Sequence, residues 1–331
     1  MFIYKTECVD PKYNLATEEY LTINNKFEEP ILFLWQNDNT IVVGRNQNAA
    51  SEINLQLAEA DKVNIIRRNT GGGTVFHDLG NMNFSIIYND KDNKAVSMFS
   101  SMLEPVIETL NKMGVNAKFS GRNDIVLNDK KISGNAMWKY KTRFLQHGTI
   151  LFNANLDKLS KYLTVDRAKI LSKNIASISA RVTNINSEIK NKIEIKDFWE
   201  ELVKTYEKTD SIKHLILNEK DLSEIENIYK NKYLDPKWTF TKNSTFDYAN
   251  KTRLEGKGSF EVYMNVEDNL IKKVKIFGDF LGYAGTNELE KKLDGVVYKA
   301  SEIKKIIDSI NIKEVFGENI ESQDILNLLI Q

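Results

Sequence analysis

One cysteine, Cys8, stands among 331 residues, so no disulfide can form within the chain and no cysteine-built zinc site can exist. So little cysteine suits a reducing compartment, and the chain is expected in the cytoplasm. No apolar run approaches the ~18 residues that a membrane-spanning helix needs. The N-terminal stretch MFIYKTECVDPKYN is charged early and lacks the apolar core of a signal peptide. Charge of one sign is lacking too: 46 Lys+Arg oppose 46 Asp+Glu. That balance supplies no bulk field toward nucleic acid or an anionic membrane, and neither is expected as a partner. Proline is scarce, with four residues, a bias of the source genome rather than chemistry.

Glycine is absent from 149 to 255, yet nine of the 16 glycines precede position 150 and seven lie from Gly256 to Gly317. Glycine marks tight turns and close approaches. The first cluster marks a loop-bearing domain, the gap a charged helical stretch, and the last cluster a second unit. The length suits one large and one modest domain, expected at 1–245 and 246–331.

Several elements follow from pattern. Residues 14–26 read as a helix capped by Asn14. ILFLWQ (31–36) and TIVVGR (40–45) read as strands joined in a hairpin at Asn37-Asp38-Asn39. VNII (63–66), MNFSIIY (82–88) and FLQHGTILF (144–152) read as strands. Residues 96–114 read as one amphipathic helix, kinked at Pro105 and stopped by Gly114. DIVL and KKIS flank Asn128-Asp129 as a second hairpin. Beyond 255, SFEVYMNV and LIKKVKIFGDF alternate as paired strands around Glu267-Asp268-Asn269. Three helices follow: 287–293, closed by Gly295, then 301–310 and 322–330, the last two capped by their serines. Strands followed by segregated helices make this a small α+β unit, with Phe260, Val262, Val274, Ile276, Leu289, Leu293, Ile303 and Ile306 as its core.

Four segments carry candidate chemistry. RRNTGGGTVFHDLGN (67–81) puts three glycines after a strand, where backbone N–H groups can face an anion and no side chain blocks it. Arg67 and Arg68 add fixed positive charge on the same approach, and arginine binds phosphate oxygens in pairs. The spacing is neither that of a P-loop nor that of a dinucleotide fingerprint. Taken alone, the segment also reads as a glycine-rich hairpin with solvated arginines. GRNDIVLNDKKISGNA (121–136) holds Lys131 on a strand just after a tight turn, with Gly134 allowing close approach; the plain alternative for Lys130 and Lys131 is a solvated basic pair. His147 in RFLQHGTILF fits a satisfied core histidine as well as a site residue. SKNIASISARVTNI (172–185), with Lys173 and Arg181, reads as a surface loop or as a loop that closes over a nucleotide.

These four segments, in this order, resemble the lipoate–protein ligase family over about residues 13–185. The family pattern runs close to R-R-x-[S/T]-G-G-G-x-V-[F/Y]-H-D-x-G-N, then G-R-N-D, K-[I/V]-S-G-x-A, H-G-[T/S]-[I/L]-L and S-K-G-I-x-S-V-R-S-R-V. The C-terminal stretch is similar, less sharply, to the family's small accessory domain. The resemblance implies an α/β (α+β) fold: a class II synthetase-like and biotin-ligase-like mixed sheet flanked by helices, plus the small C-terminal domain. It implies ATP and lipoic acid as substrates, with Mg²⁺. Lys131 matches the lysine that contacts the lipoyl carboxylate and the α-phosphate. Arg68, Gly71, Gly72, Gly73, Thr74, Val75 and Phe76 match the loop that binds ATP and then lipoyl-AMP. His77 closes that loop and, with His147, Arg68 and Lys131, is assigned to lipoate. Arg181 is assigned to the adenylate and Asp124 to Mg²⁺ or the ribose. An apolar tunnel lined by residues such as Trp35 and Phe84 would take the acyl tail. The implied acceptors are lipoyl domains of 2-oxoacid dehydrogenase E2 subunits and the glycine-cleavage H protein.

The sequence departs from the pattern in three places. Asn174 replaces a glycine, Ser179 stands where many members have arginine, and Thr74 replaces a common alanine. Related folds set the competing readings. Biotin–protein ligases carry a G-R-G-R-x-G loop, absent here. Octanoyl and lipoyl amidotransferases need a cysteine nucleophile, and Cys8 lies outside every matched segment. An idle lipoyl-binding protein would have no use for Lys131.

Overall fold

The computed structural model describes residues 1–24, 26–90, 96–162, 181–208, 211–240, 246 and 248–330. Fourteen strands are described: β1 Phe2–Lys5, β2 Ile31–Trp35, β3 Thr40–Val43, β4 Asn64–Arg67, β5 Val75–His77, β6 Asn81–Asn89, β7 Ala117–Ser120, β8 Asp124–Leu127, β9 Lys130–Tyr140, β10 Arg143–Leu151, β11 Lys213–His214, β12 Tyr248–Leu254, β13 Gly258–Glu267 and β14 Leu270–Gly278. Eight form one mixed sheet in the order β11-β1-β2-β6-β10-β9-β8-β7. A second sheet, β4-β3-β5, lies beside the first, and β12-β13-β14 forms the third. A large mixed sheet flanked by helices, with a small α+β unit after it, is the fold class the sequence led us to expect.

Strand β2, ILFLW, is buried at every position, as a central strand covered on both faces must be. One face meets Met1, Ile3, Phe84, Ile86, Val106 and Phe198. The other meets helix α1, Pro11–Ile23, through Leu15, Tyr20 and Leu21. Helix α1 starts earlier than expected, because Asp10, not Asn14, is the cap: its carboxylate accepts from the Lys12 and Tyr13 N–H groups, and Pro11 opens the first turn. Asn14 is instead buried inside the helix.

Residues 37–39 depart from the hairpin expected there. Asn39 does take a left-handed turn conformation, φ 44°. The flanking strands nevertheless diverge: β2 pairs with β1 and β6, β3 with β4 and β5. The segment crosses between two sheets and is not a hairpin. By contrast, β8 and β9 pair antiparallel around Asn128 and Asp129, both left-handed at φ 51° and 59°. The 96–114 stretch becomes turns, a 3-10 turn Ser101–Leu103 and an α-helix Glu104–Lys112. Pro105 sits in that helix's first turn, where its missing N–H costs nothing, and so begins the helix instead of kinking it.

The C-terminal strands β13 and β14 pair around Asp268 and Asn269 and pack on helices Asn287–Leu293, Ala300–Asp308 and Ser322–Leu329. The caps of the last two helices are Lys299 and Glu321, because Ser301 and Ser322 already lie inside them. The core includes all the expected residues, with Ile306 only partly buried. It is a separate cluster from the cores beneath the large sheet. Among the described residues, no helix is long and apolar enough to cross a membrane.

Candidate functional site

A cavity of about 610 Å³ opens where the two N-terminal sheets meet. Its wall combines the glycine loop Gly71, Gly72, Gly73 and Thr74, the strand residues Lys131, Gly134 and Asn135, and an apolar corner of Leu15, Trp35 and Val42. Arg68, Val75, Phe76, His77, Asp124 and His147 also line it. The sequence motifs from 68 to 148 therefore converge on one space.

Lys131 is built to be rigid. Its N–H donates to Arg181 O at 2.7 Å, and its carbonyl accepts from Thr183 N–H at 2.9 Å. Its Nζ lies 2.7 Å from Asp124 Oδ1. The side chain lies over Gly134, where an added Cβ would come within 2.8 Å of Nζ. Lys130 points elsewhere: it pairs with Glu188 Oε1 at 2.9 Å and is not the solvated lysine of the plain reading. Lys130, with hydrogen bonds from Thr183 and Asn128, holds the Glu188 carboxyl down at about 2.

The two arginines do something other than wait for phosphate. Arg67 lies outside the cavity wall, spent on the carbonyls of Gly44, Arg45, Gln47, Trp238 and Thr239. Arg68 reaches the wall, but its guanidinium donates to Val42 O, Gly71 O and Gly73 O and to Thr70 Oγ1. It shapes the glycine loop from beneath. Burial pulls both guanidinium groups down to about 10, so both stay charged at neutral pH. Gln47 clamps the loop from the side, accepting at Oε1 from Gly44 N–H and Thr74 Oγ1.

The small size of the loop glycines also serves packing. A Cβ on Gly71 would lie 2.5 Å from Phe280 O, and Gly72 N–H donates to Phe280 O at 3.0 Å. The expectation of three uncommitted loop N–H groups thus fails at Gly72. The C-terminal unit occupies it, and Asp279 and Leu281 join the cavity wall. No sequence signal near 279–281 marked them, since the contact is non-local.

His147 is partly buried and lies at the wall. Its Nδ1 lies 2.8 Å from Glu18 Oε1 and its Nε2 2.8 Å from Thr70 Oγ1. Ser85 Oγ donates to the same Glu18 oxygen, and Trp35 Nε1 donates to Ser85. Glu18, on α1, escaped the sequence reading because one acidic residue in a helix has no pattern. Phe84 is buried in the core and does not line the cavity; β6 turns it to the face opposite Asn83 and Ser85. Arg181 holds Lys131 through its carbonyl, while its side chain is exposed and Val182 supplies the wall. Lys173, Asn174, Ser179 and the rest of 172–180 lie outside the described residues. Asp124 offers one carboxylate, and among the described residues no three His, Cys, Asp or Glu groups cluster to hold a metal unaided. That donor set fits Mg²⁺ carried in mainly by phosphates.

Comparison with known proteins agrees with this geometry. The model for the lipoyl protein ligase A/B catalytic domain matches residues 10–207, and that for the bacterial lipoate protein ligase C-terminus matches residues 243–329. Lipoate-protein ligase LplJ of Bacillus subtilis (strain 168) is 37% identical over 99% of each chain. The crystal structure of P. falciparum LipL1 in complex with lipoate covers 98% of this chain and 97% of its own, with TM-score 0.78 and 30% identity. A lipoate-protein ligase A bound with ATP covers 72% of this chain and 96% of its own, with TM-score 0.62 and 27% identity.

Proposed function

Because the chain belongs to the lipoate–protein ligase family, we propose that its cavity activates lipoate with ATP and passes the lipoyl group to a lysine of an acceptor protein. The reaction is ATP-dependent ligation of an acid to an amine. The observation that carries the reading is the convergence, in one cavity, of Lys131, the glycine loop and the apolar corner of Leu15, Trp35 and Val42. The apolar corner takes the acyl tail. The lipoate carboxylate then attacks the α-phosphate, pyrophosphate leaves, and lipoyl-AMP remains. No nucleophilic side chain is required, because the carboxylate is the nucleophile. The protein must neutralise two anions that repel each other, and Lys131 is the preorganised cation for that. Gly71, Gly72, Gly73, Thr74, Val75 and Phe76, shaped by Arg68, form the nucleotide side; His77 and His147 complete the wall, and Arg181 fixes Lys131. Asp124 would hold Mg²⁺, whose chemistry is charge neutralisation on the phosphates.

The acceptor's lysine amine attacks the mixed anhydride and AMP leaves. Lipoyl domains of 2-oxoacid dehydrogenase E2 subunits and the glycine-cleavage H protein are the proposed acceptors, and the cytoplasm is the proposed site of action. Incubating the protein with ATP, lipoate and a lipoyl-domain acceptor should add one lipoyl mass to one acceptor lysine. Modification that proceeds without ATP would overturn the reading in favour of amidotransfer. Cys8→Ser should keep full activity, since Cys8 lies outside the cavity wall. Loss of acyl transfer in that variant would revive the amidotransferase reading.

We further propose two domains, 1–245 and 246–331, whose arrangement responds to the adenylate. A phosphate at the glycine loop competes with Phe280 O for Gly72 N–H, and an acceptor protein needs a wider mouth than a small molecule. Small-angle scattering should therefore differ between the apo protein and its complex with a non-hydrolysable lipoyl-AMP analogue. Superimposable profiles would contradict this.

A further inference from the structure

Asn37, in the segment that crosses between sheets, is fully buried, and so is Asn14 on α1. The Asn14 amide has no choice of orientation. Its Nδ2 lies 2.9 Å from Cys8 O and 2.7 Å from Gln36 O, two carbonyls that only accept. Those two bonds take both Nδ2 protons, so the 3.2 Å contact from this Nδ2 to Asn37 Oδ1 shares one of them; the reverse orientation of Asn37 would instead set two amide donors against each other. That fixes the Asn37 amide in turn, and its Nδ2 faces His77 Nδ1 at 3.2 Å. An amide N–H can only donate, so His77 Nδ1 must accept with its lone pair. Burial, aided by Arg68 and His147, pulls the His77 imidazole down to about 3, so the ring is neutral and carries a single proton. That proton sits on Nε2. Among the described residues, His77 Nε2 has no hydrogen-bond partner, although it is buried and its ring lines the cavity. A buried donor left unmatched is costly, and such an atom calls for a partner from outside the chain.

We propose that Asn14 and Asn37 form a buried amide relay that keeps the His77 proton on Nε2, where it donates to a hydrogen-bond acceptor of the bound acyl-adenylate. This rests on the ligase reading above. Asn37 is a positioning residue: it touches no ligand and acts through His77.

The chain has three histidines, so the imidazole nitrogens can be followed by ¹⁵N NMR of the full-length protein, with His77→Asn assigning the His77 signals. The wild type should show a protonated Nε2 and a bare Nδ1 at neutral pH. Asn37→Asp keeps the size and the bond from Asn14 but presents a carboxylate to the ring. It should move the proton to Nδ1 and lower lipoate-dependent ATP–pyrophosphate exchange about tenfold, the worth of one hydrogen bond. His77→Gln, whose amide N–H reaches the Nε2 position, should lose less than His77→Asn, whose amide does not. A wild-type proton on Nδ1, a moved proton with undiminished exchange, or equal losses in the two His77 variants would overturn the proposal. Should Asn37→Asp fail to fold, the wild-type spectrum and the His77 pair still decide. A wild type with no lipoate-dependent exchange at all would overturn the ligase reading, while the spectrum would still report on the relay.

Discussion

Lys131→Ala should lower lipoate-dependent pyrophosphate release by about 10²–10³-fold, the usual effect of removing one preorganised group that stabilises transition-state charge. The fold should survive. Among the described residues the lysine's one salt bridge is to Asp124, and both side chains are about one-third exposed, at 37% and 34%; such a pair contributes about 0–1 kcal/mol. What the strand gives this lysine is geometry. Its backbone is tied on both sides to 181–183, and Gly134 leaves its side chain room to lie flat. Lys130→Ala is the control. It breaks the pair with Glu188 and loosens the neighbouring 183–188 turn, so it should cost less than tenfold. Near-normal pyrophosphate release by Lys131→Ala, or equal losses in the two variants, would remove Lys131 from its assigned role.

Gly44→Ala should damage both stability and activity. An added Cβ would lie 1.9 Å from Gly72 O and 3.2 Å from Arg68 Nη2. The first obstacle is backbone and cannot swing away, so the glycine loop itself must move. Overpacking of this kind typically costs about 1–3 kcal/mol. The displaced loop would also lose the Arg68 and Gln47 bonds that shape it, and nucleotide-dependent activity should fall at least as far as about tenfold. Gly73→Ala is the comparison, because nothing lies within 4 Å of its added Cβ; its melting temperature should stay near that of the wild type. A Gly44→Ala protein that melts and reacts like the wild type would mean that 44 and 72 do not pack as described.

Where chemistry is local, it was legible from the residues. Asn128-Asp129 and Asp268-Asn269 both adopt left-handed conformations and both join paired strands. Asn39 sends the same signal, yet its strands part. A turn residue reports a change of direction, whereas pairing is decided by what else is buried, and β2 is claimed on both edges by β1 and β6. The glycine loop and Lys131 were legible as a pair of motifs. The fate of the Arg68 charge was not, because its partners are backbone oxygens from 42, 71 and 73 and the Thr70 hydroxyl. Glu18, Asn14 and Asn37 escaped for a related reason: single polar residues acquire meaning only from what folding places opposite them. Asp279 and Leu281 reach the cavity from the far end of the chain, and nothing in their own neighbourhood announces it.

The central claim is that the cavity makes an acyl-adenylate before any acceptor arrives. Exchange of labelled pyrophosphate into ATP, measured with lipoate and without acceptor protein, tests it most directly. Exchange should require lipoate and should be lost in Lys131→Ala. Exchange that ignores lipoate, or acyl transfer to an acceptor with no exchange at all, would contradict the account.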